Sequence, residues 1–317
     1  MDAENTEVDP DKRGAVCCPY YSDAEYHLQL TPRAGSLEVP GIVDVKVKVL
    51  EVLQPITISQ VLKVTLASPS ISLPSTMILK VYDRRYAKDL REFHDASDLS
   101  AESERAFRTF MSSEDTGSQR NLDEWAQKRI DDDNRDIEPL PEETEAYLAA
   151  LLTSYYENEV RVYERISAMQ GKDIPLFLGS TRFIESTTHP DTIDANVPGI
   201  LLEYVEGVTL DKLPASALSA SLCQKCVYIV QAFGDNGILN QDVRLENFIV
   251  TSSPTSNRDI VMVDFAQSRL RKADEDDEQW KRAKWSTDEE GAIGYVLKKK
   301  CGWDYRPTFK YMVPAED

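Results

Sequence analysis

Two short apolar segments joined by a polar turn constrain this chain more than any other feature. Phe248, Ile249 and Val250 make the first, Ile260 to Val263 the second, and Ser252 to Asn257 between them is rich in Ser, Pro, Thr and Asn. That pattern predicts a hairpin. The string Asn240, Gln241, Asp242, Val243, Arg244, Leu245, Glu246, Asn247 leads into the first strand, and Asp264 and Phe265 leave the second. A hairpin therefore carries Asn247 and Asp264 to one end, with Asp242 five positions before Asn247. Upstream, Leu222, Cys226, Ile229, Val230 and Phe233 recur at spacings of three and four, which predicts a helix with one buried face, closed by Gly234 and Gly237.

These residue types suit phosphoryl transfer. That reaction needs a carboxylate to orient the attacking hydroxyl, an amide oxygen to hold a magnesium ion, and a second carboxylate to bridge metal and phosphates. Asp242, Asn247 and Asp264 would fill the three roles in that order. Each piece alone is common: a five-residue Asp to Asn spacing occurs in many chains, and an aspartate after a strand is often only a turn residue. The joint order of helix, turn, Asp, Asn, strand, turn, strand, Asp, Phe carries the reading.

Such a site needs a cation for the nucleotide phosphates and a carboxylate to hold that cation. Met77, Ile78, Leu79, Lys80, Val81, Tyr82 is a strand with one charge embedded in it, and a lysine there must reach water or find an anionic partner. The strand resembles the VAIK-type strand of kinases, which implies Lys80 as the candidate for the α and β phosphates; the competing reading is a lysine on a solvated strand face. Leu152, Tyr156, Val160 and Tyr163 mark an inward helical stripe, and Glu159 beside it is chosen as the partner of Lys80, with Glu157 and Glu164 as competitors. Gln170 to Pro175 reads as a helix stop and turn. Gly199 to Gly207 reads as a buried strand running into a linker; its place resembles that of a kinase hinge, which implies that the backbone of Glu203, Tyr204 and Val205 would bond an adenine ring, while an ordinary core strand fits the same residues.

Together these segments resemble the protein-kinase-like superfamily, and their cadence is similar to kinase-like domains of fungi. The resemblance covers about residues 40 to 270 and rests on the DVRLEN string with its HRDxxxxN-type spacing, the VAIK-like strand around Lys80, and Asp264–Phe265. It implies an α+β fold of two lobes: a small antiparallel β lobe with one main helix and a helical insert, a hinge, and a shortened, mainly helical C-lobe. It further implies ATP and Mg2+ as cofactors, and places Arg244 against the transferred phosphate, nearer to protein kinases than to small-molecule kinases. The expected division is a loosely held tail over 1–35, an N-lobe over 36–205 with the insert at about 87–150, and a C-lobe over 206–317.

Four departures from the pattern stand out. No glycine-rich loop precedes Lys80; the strands Val45 to Val52 and Gln60 to Leu66 are joined by Leu53 to Ser59, where the hydroxyls of Thr57 and Ser59 could donate to phosphate instead, although polar residues in a hairpin turn need no ligand to explain them. Gln241 replaces the arginine of the HRD motif, Ala266 replaces a glycine after Phe265, and no APE motif follows. The insert holds Leu90, Phe93, Phe107, Phe110, Met111, Trp125 and Ile130 among many charges, with a polar break at Asp131 to Asp136; it reads as two or three short helices.

A chain of 317 residues with 41% hydrophobic and 29% charged content can bury a sizeable core. Its net charge of -19 disfavours nucleic acid and anionic membranes. No run of about eighteen apolar residues exists, and Met1 to Asp11 is acidic without an apolar stretch, so a cytoplasmic or nuclear location is expected. Five cysteines without framework spacing fit a reducing compartment, with Cys226 in the core, and His27, His94 and His189 are too scattered for a metal site. Two functions follow: an ATP- and Mg2+-dependent phosphotransferase acting on a protein or small-molecule hydroxyl, or a pseudokinase that binds nucleotide without turnover.

Overall fold

Alternation of apolar and polar side chains shapes the first half of the chain, which sends every second residue of a strand to one face. β1 (Glu25–Pro32) buries Tyr26, Leu28 and Leu30; β2 (Val43–Leu53) buries Val45, Val47 and Val49; β3 (Gln60–Leu66) buries Leu62 and Val64. With β4 (Thr76–Val81), β5 (Phe177–Phe183) and β6 (Pro198–Glu203) they form a closed barrel in the order β1-β2-β3-β4-β6-β5. Every pairing is antiparallel, including the one that closes it, β1 against β5 with Leu28 opposite Phe183. Closure demands a glycine at position 179: its φ is +154°, and a Cβ there would stand 2.3 Å from the Thr31 carbonyl oxygen. Side chains fill the interior, as a barrel of this size requires. The computed structural model describes residues 17–33, 41–67, 73–97, 99–112, 140–184, 197–255 and 258–313.

Among the described residues the helices are α1 (Lys88–Phe93), α2 (Ala101–Met111), α3 (Pro141–Arg165), α4 (Ala220–Asp235), α5 (Asp277–Thr287) and α6 (Glu289–Cys301). Among them run five short strands: β7 (Gly207–Thr209), β8 (Ile238–Asn240), β9 (Phe248–Thr255), β10 (Arg258–Met262) and β11 (Ser268–Leu270). β9 and β10 are the hairpin read from the sequence, with β7 added to the far edge of β9, while β8 pairs with β11. A second core joins Leu152 and Tyr163 of α3, Ile229 and Phe233 of α4, Ile293 and Leu297 of α6, and Phe248, Ile260 and Phe265.

The α+β class read from the sequence stands, but the two-lobed kinase-like architecture does not. Among the described residues the strands close into a six-stranded barrel, few helices accompany it, and five further strands lie in 206–317, expected to be a mainly helical C-lobe. The physical reason is β1. Residues 1–35 were assigned to a loose tail, which left the sheet open; β1 lies within that stretch, pairs on both sides and removes both edges.

Within the insert, α1 and α2 fall where helices were expected. Phe107, Phe110 and Met111 of α2 pack on Ala146 and Ala150 of α3. Arg91 Nη2 donates to Glu145 Oε1 at 2.7 Å, and Arg84 binds both Glu145 and Glu104. Trp125, Ile130 and the Asp131 to Asp136 break lie outside the described residues. Cys226 is fully buried, as expected, and no helix among the described residues is long and apolar enough to cross a membrane.

Candidate functional site

Lys80 reaches the site because β4 is buried on both faces. Met77, Leu79 and Val81 point into the barrel, so Ile78, Lys80 and Tyr82 take the opposite face, which α3 covers. Lys80 Nζ donates to Glu159 Oε2 and to Asp264 Oδ1, each at 2.7 Å, and the lysine and glutamate side chains are 4% and 0% exposed. Tyr82 donates its hydroxyl to the same Glu159 oxygen. The competitors fall away: Glu157 pairs with Arg161 on the helix surface, and Glu164 is exposed. The sequence reading put Val160 in the inward stripe and Glu159 beside it. In the structure Glu159 occupies the buried position, with Leu152, Val162 and Tyr163, and Val160 is only half-buried.

Asp264 arrives from β10. Its backbone is left-handed, φ +65°, a conformation few non-glycine residues adopt and one that marks functional positions. Phe265 anchors the turn: its ring centroid stands 5.1 Å from that of Tyr163 on α3 and 5.1 Å from that of Phe233 on α4. The helix that carries Glu159 and the segment that carries Asp264 thus share one aromatic contact. The Val263 amide donates to the Asn247 carbonyl at 2.8 Å, which holds Asp264 next to Asn247.

Asn247 donates its side-chain amide to the Asp242 carbonyl at 2.8 Å and to Asp242 Oδ2 at 3.0 Å. Arg244 Nη2 lies 3.1 Å from the same carboxylate and is half exposed. Asp242, Arg244 and Asn247 therefore form one group, and Lys80, Glu159 and Asp264 another. Their charges overlap. Burial pushes Asp242 above its ordinary value, against the pull of Arg244 and Asn247 and with an added push from Asp264. Asp264 moves the other way: burial raises it, but Lys80 outweighs that and holds it low, with Arg244 contributing. Burial lowers Lys80, yet Asp264 and Glu159 together drive it up to about 12. Burial raises Glu159 more than Lys80 lowers it.

The remaining predicted residues surround this centre less tightly. Thr57 and buried Ser59 sit in the β2–β3 loop, tied down through the Thr57 carbonyl, which accepts the Asp89 amide at 3.2 Å, and through Ile58, which packs on the second core. The polar partners of Lys80 are Glu159 and Asp264 rather than Thr57 or Ser59. Glu203 ends β6, opposite Met77 of β4, three residues and about 10 Å from the level of Lys80. Its amide already donates to the Leu176 carbonyl at 2.9 Å, and its carboxylate takes both Arg258 nitrogens at 2.7 and 2.8 Å. Tyr204 and Val205 lie in the link between β6 and β7, where the Lys63 ammonium stands 4.1 Å from the Tyr204 ring centroid.

Sequence reasoning missed the support behind Asp242. Its amide donates to Asn240 Oδ1 at 2.8 Å, and the Asn240 amide donates to Glu289 Oε1 at 2.6 Å. Glu289 pairs with Lys284, whose ammonium also donates to the Ile238 carbonyl at 3.3 Å; both side chains are buried. The one available signal was Lys284 a helical turn after Trp280. Neither a protein-family model nor a curated protein matches the chain. No cluster of three or more His, Cys, Asp or Glu side chains suited to a metal ion occurs among the described residues; magnesium is commonly held by one or two protein oxygens completed by water and phosphate.

Proposed function

We propose that the chain is an ATP- and Mg2+-dependent phosphotransferase acting on a hydroxyl, with catalytic-loop and metal-binding motifs resembling those of protein kinases. The observation that carries this reading is the Lys80 ammonium held 2.7 Å from both Glu159 and Asp264, the latter one-third open to solvent. An ammonium has three donors. Two are engaged, so Lys80 can keep Glu159 and still turn a donor to phosphate oxygens.

Asn247 and Asp264 suit magnesium by donor type. The Asn247 amide nitrogen is committed to Asp242, which leaves Oδ1 for a cation beside a carboxylate that Lys80 keeps ionised. Bound ATP with Mg2+ would supply the transferable γ-phosphoryl group and neutralise its charge. Asp242, fixed by Asn240 and Asn247, orients the acceptor hydroxyl and takes its proton. Arg244, half exposed two residues on, faces the charge on the transferred group. That placement favours a protein serine or threonine over a small-molecule alcohol. The tethered, glycine-free Thr57–Ser59 loop favours the second reading, nucleotide binding without turnover.

Two variants separate the readings. Asp242→Asn should leave ATP affinity within about threefold of wild type and lower turnover by roughly 10²-fold or more, whereas Asp264→Asn should weaken Mg2+-dependent ATP binding itself. ATP with Mg2+ should also raise the melting temperature of the wild type. No stabilisation and no turnover sinks the assignment, while binding without turnover on any acceptor selects the second reading.

A further inference from the structure

Outside the candidate site, two thiols meet where α4 begins and α6 ends. Cys223 Sγ and Cys301 Sγ stand 3.7 Å apart, joined across 78 positions of sequence. A disulfide requires about 2.05 Å between sulfurs, so closure asks for less than 2 Å of approach. Cys301 is the last residue of α6, and Gly302 after it adopts a left-handed backbone with open space around it. All five cysteines are free; Cys226 is fully buried on α4, and Cys17 and Cys18 are exposed on the N-terminal segment.

We propose that Cys223 and Cys301 are an oxidisable dithiol that a hydroperoxide converts to a reversible disulfide. The two thiols have unequal roles. Cys223 is 1% exposed, and burial, then the neighbouring Cys301, push its thiol up to about 12. It is a poor first nucleophile. Cys301 is partly open to solvent, and its thiolate attacks the peroxide; the O–O bond breaks, one oxygen stays on sulfur as sulfenic acid, and the other leaves as water or alcohol after taking a proton. Cys223 sulfur then attacks Cys301 sulfur. The S–S bond forms, the S–O bond breaks, and hydroxide departs as water with the Cys223 proton. Two thiols lose two electrons and the peroxide gains them.

The closed loop would contain Asp242, Asn247, Asp264 and Glu289. At their other ends α4 and α6 are linked by Gln231 Nε2 donating to Glu290 Oε2 at 3.1 Å, so the new bond adds a covalent link at the opposite end of the helix pair.

The experiment treats the full-length protein with hydrogen peroxide, blocks free thiols by alkylation, and reads unreduced peptides by mass spectrometry. A Cys223–Cys301 cross-linked peptide is expected, lost on dithiothreitol treatment, absent from Cys223→Ser and Cys301→Ser, and retained when Cys17 and Cys18 are both serine. The oxidised protein should melt roughly 5 °C or more above the reduced one. Recovery of Cys301 as sulfinic acid with Cys223 still alkylated overturns the proposal. So does a cross-link through Cys226, or an oxidised form that melts lower.

Discussion

Replacing Lys80 with methionine keeps the length of the side chain and removes its charge, leaving Glu159 and Asp264 facing one another. At 2.7 Å and an effective dielectric of about 20, each of the two ion pairs is worth about 6 kcal/mol before desolvation. Desolvation of the buried ions offsets most of this, and breaking a buried pair by removing one partner costs a net 3–5 kcal/mol or so. Asp264 is one-third exposed and Glu159 can take up a proton, so Lys80→Met should cost about 3 kcal/mol at pH 8. The pH dependence has a definite sign. Burial already raises Glu159 in the wild type, and loss of Lys80 raises it further. An acid with a raised folded pKa gains stability as pH falls through that value, so the deficit should shrink towards pH 5. Glu159→Gln in the Lys80→Met background should restore about 2 kcal/mol. Urea denaturation of wild type, both single variants and the double variant at pH 5.5 and pH 8 measures all four terms. Additivity within about 0.5 kcal/mol, or a deficit independent of pH, would refute the reasoning.

Two further outcomes follow from other parts of the molecule. Because burial holds Asp242 above its ordinary value, turnover that depends on its ionised form should fall, as pH drops, at a point above about 3.9, the value of a free aspartate; an acid limb at or below that point in a kcat profile removes Asp242 from the role. Glu290 accepts from Tyr305 Oη at 3.0 Å, from the Thr308 amide at 3.0 Å and from Thr308 Oγ1 at 2.6 Å, as well as from Gln231. Glu290→Gln sets a donor against those donors and should cost about 1–3 kcal/mol, visible as earlier proteolytic cleavage within 302–313, with ATP binding unchanged.

The legible parts of the site were those where one residue type conflicts with its surroundings. A lysine inside an apolar strand demands a carboxylate, which made Lys80 and then Glu159 visible, and Asp242, Asn247 and Asp264 stood at the ends of a hairpin whose turn was written in Ser, Pro, Thr and Asn. What could not be read was non-local. Tyr26, Leu28 and Leu30 alternate correctly for a strand, but nothing in eight residues names a partner near position 180, so the barrel was hidden and motif order suggested two lobes instead. Motif order fixes which elements follow one another and leaves open how a sheet closes. Glu289 and Lys284 were hidden for a different reason: each is one charge among many in 271–290, and what marks the pair is its bonds to Ile238 and Asn240 of β8, some 45 to 50 positions away. The bonds of the Glu203 amide to Leu176 and of its carboxylate to Arg258 were equally non-local and left no mark in the sequence around position 203.

The seam between β1 and β5 also sets an order of events during synthesis. Leu28 and Phe183 are separated by about 150 positions, a delay on the order of 10–30 s at ribosomal speeds of roughly 5–20 residues per second. Until β5 emerges, β1 to β4 form an open four-stranded sheet with unpaired edges on β1 and β4, and unpaired edges recruit other strands. A chain stopped before residue 177 would keep Lys80 and Glu159 yet present both edges permanently, and self-association would then claim it before any question of catalysis arose.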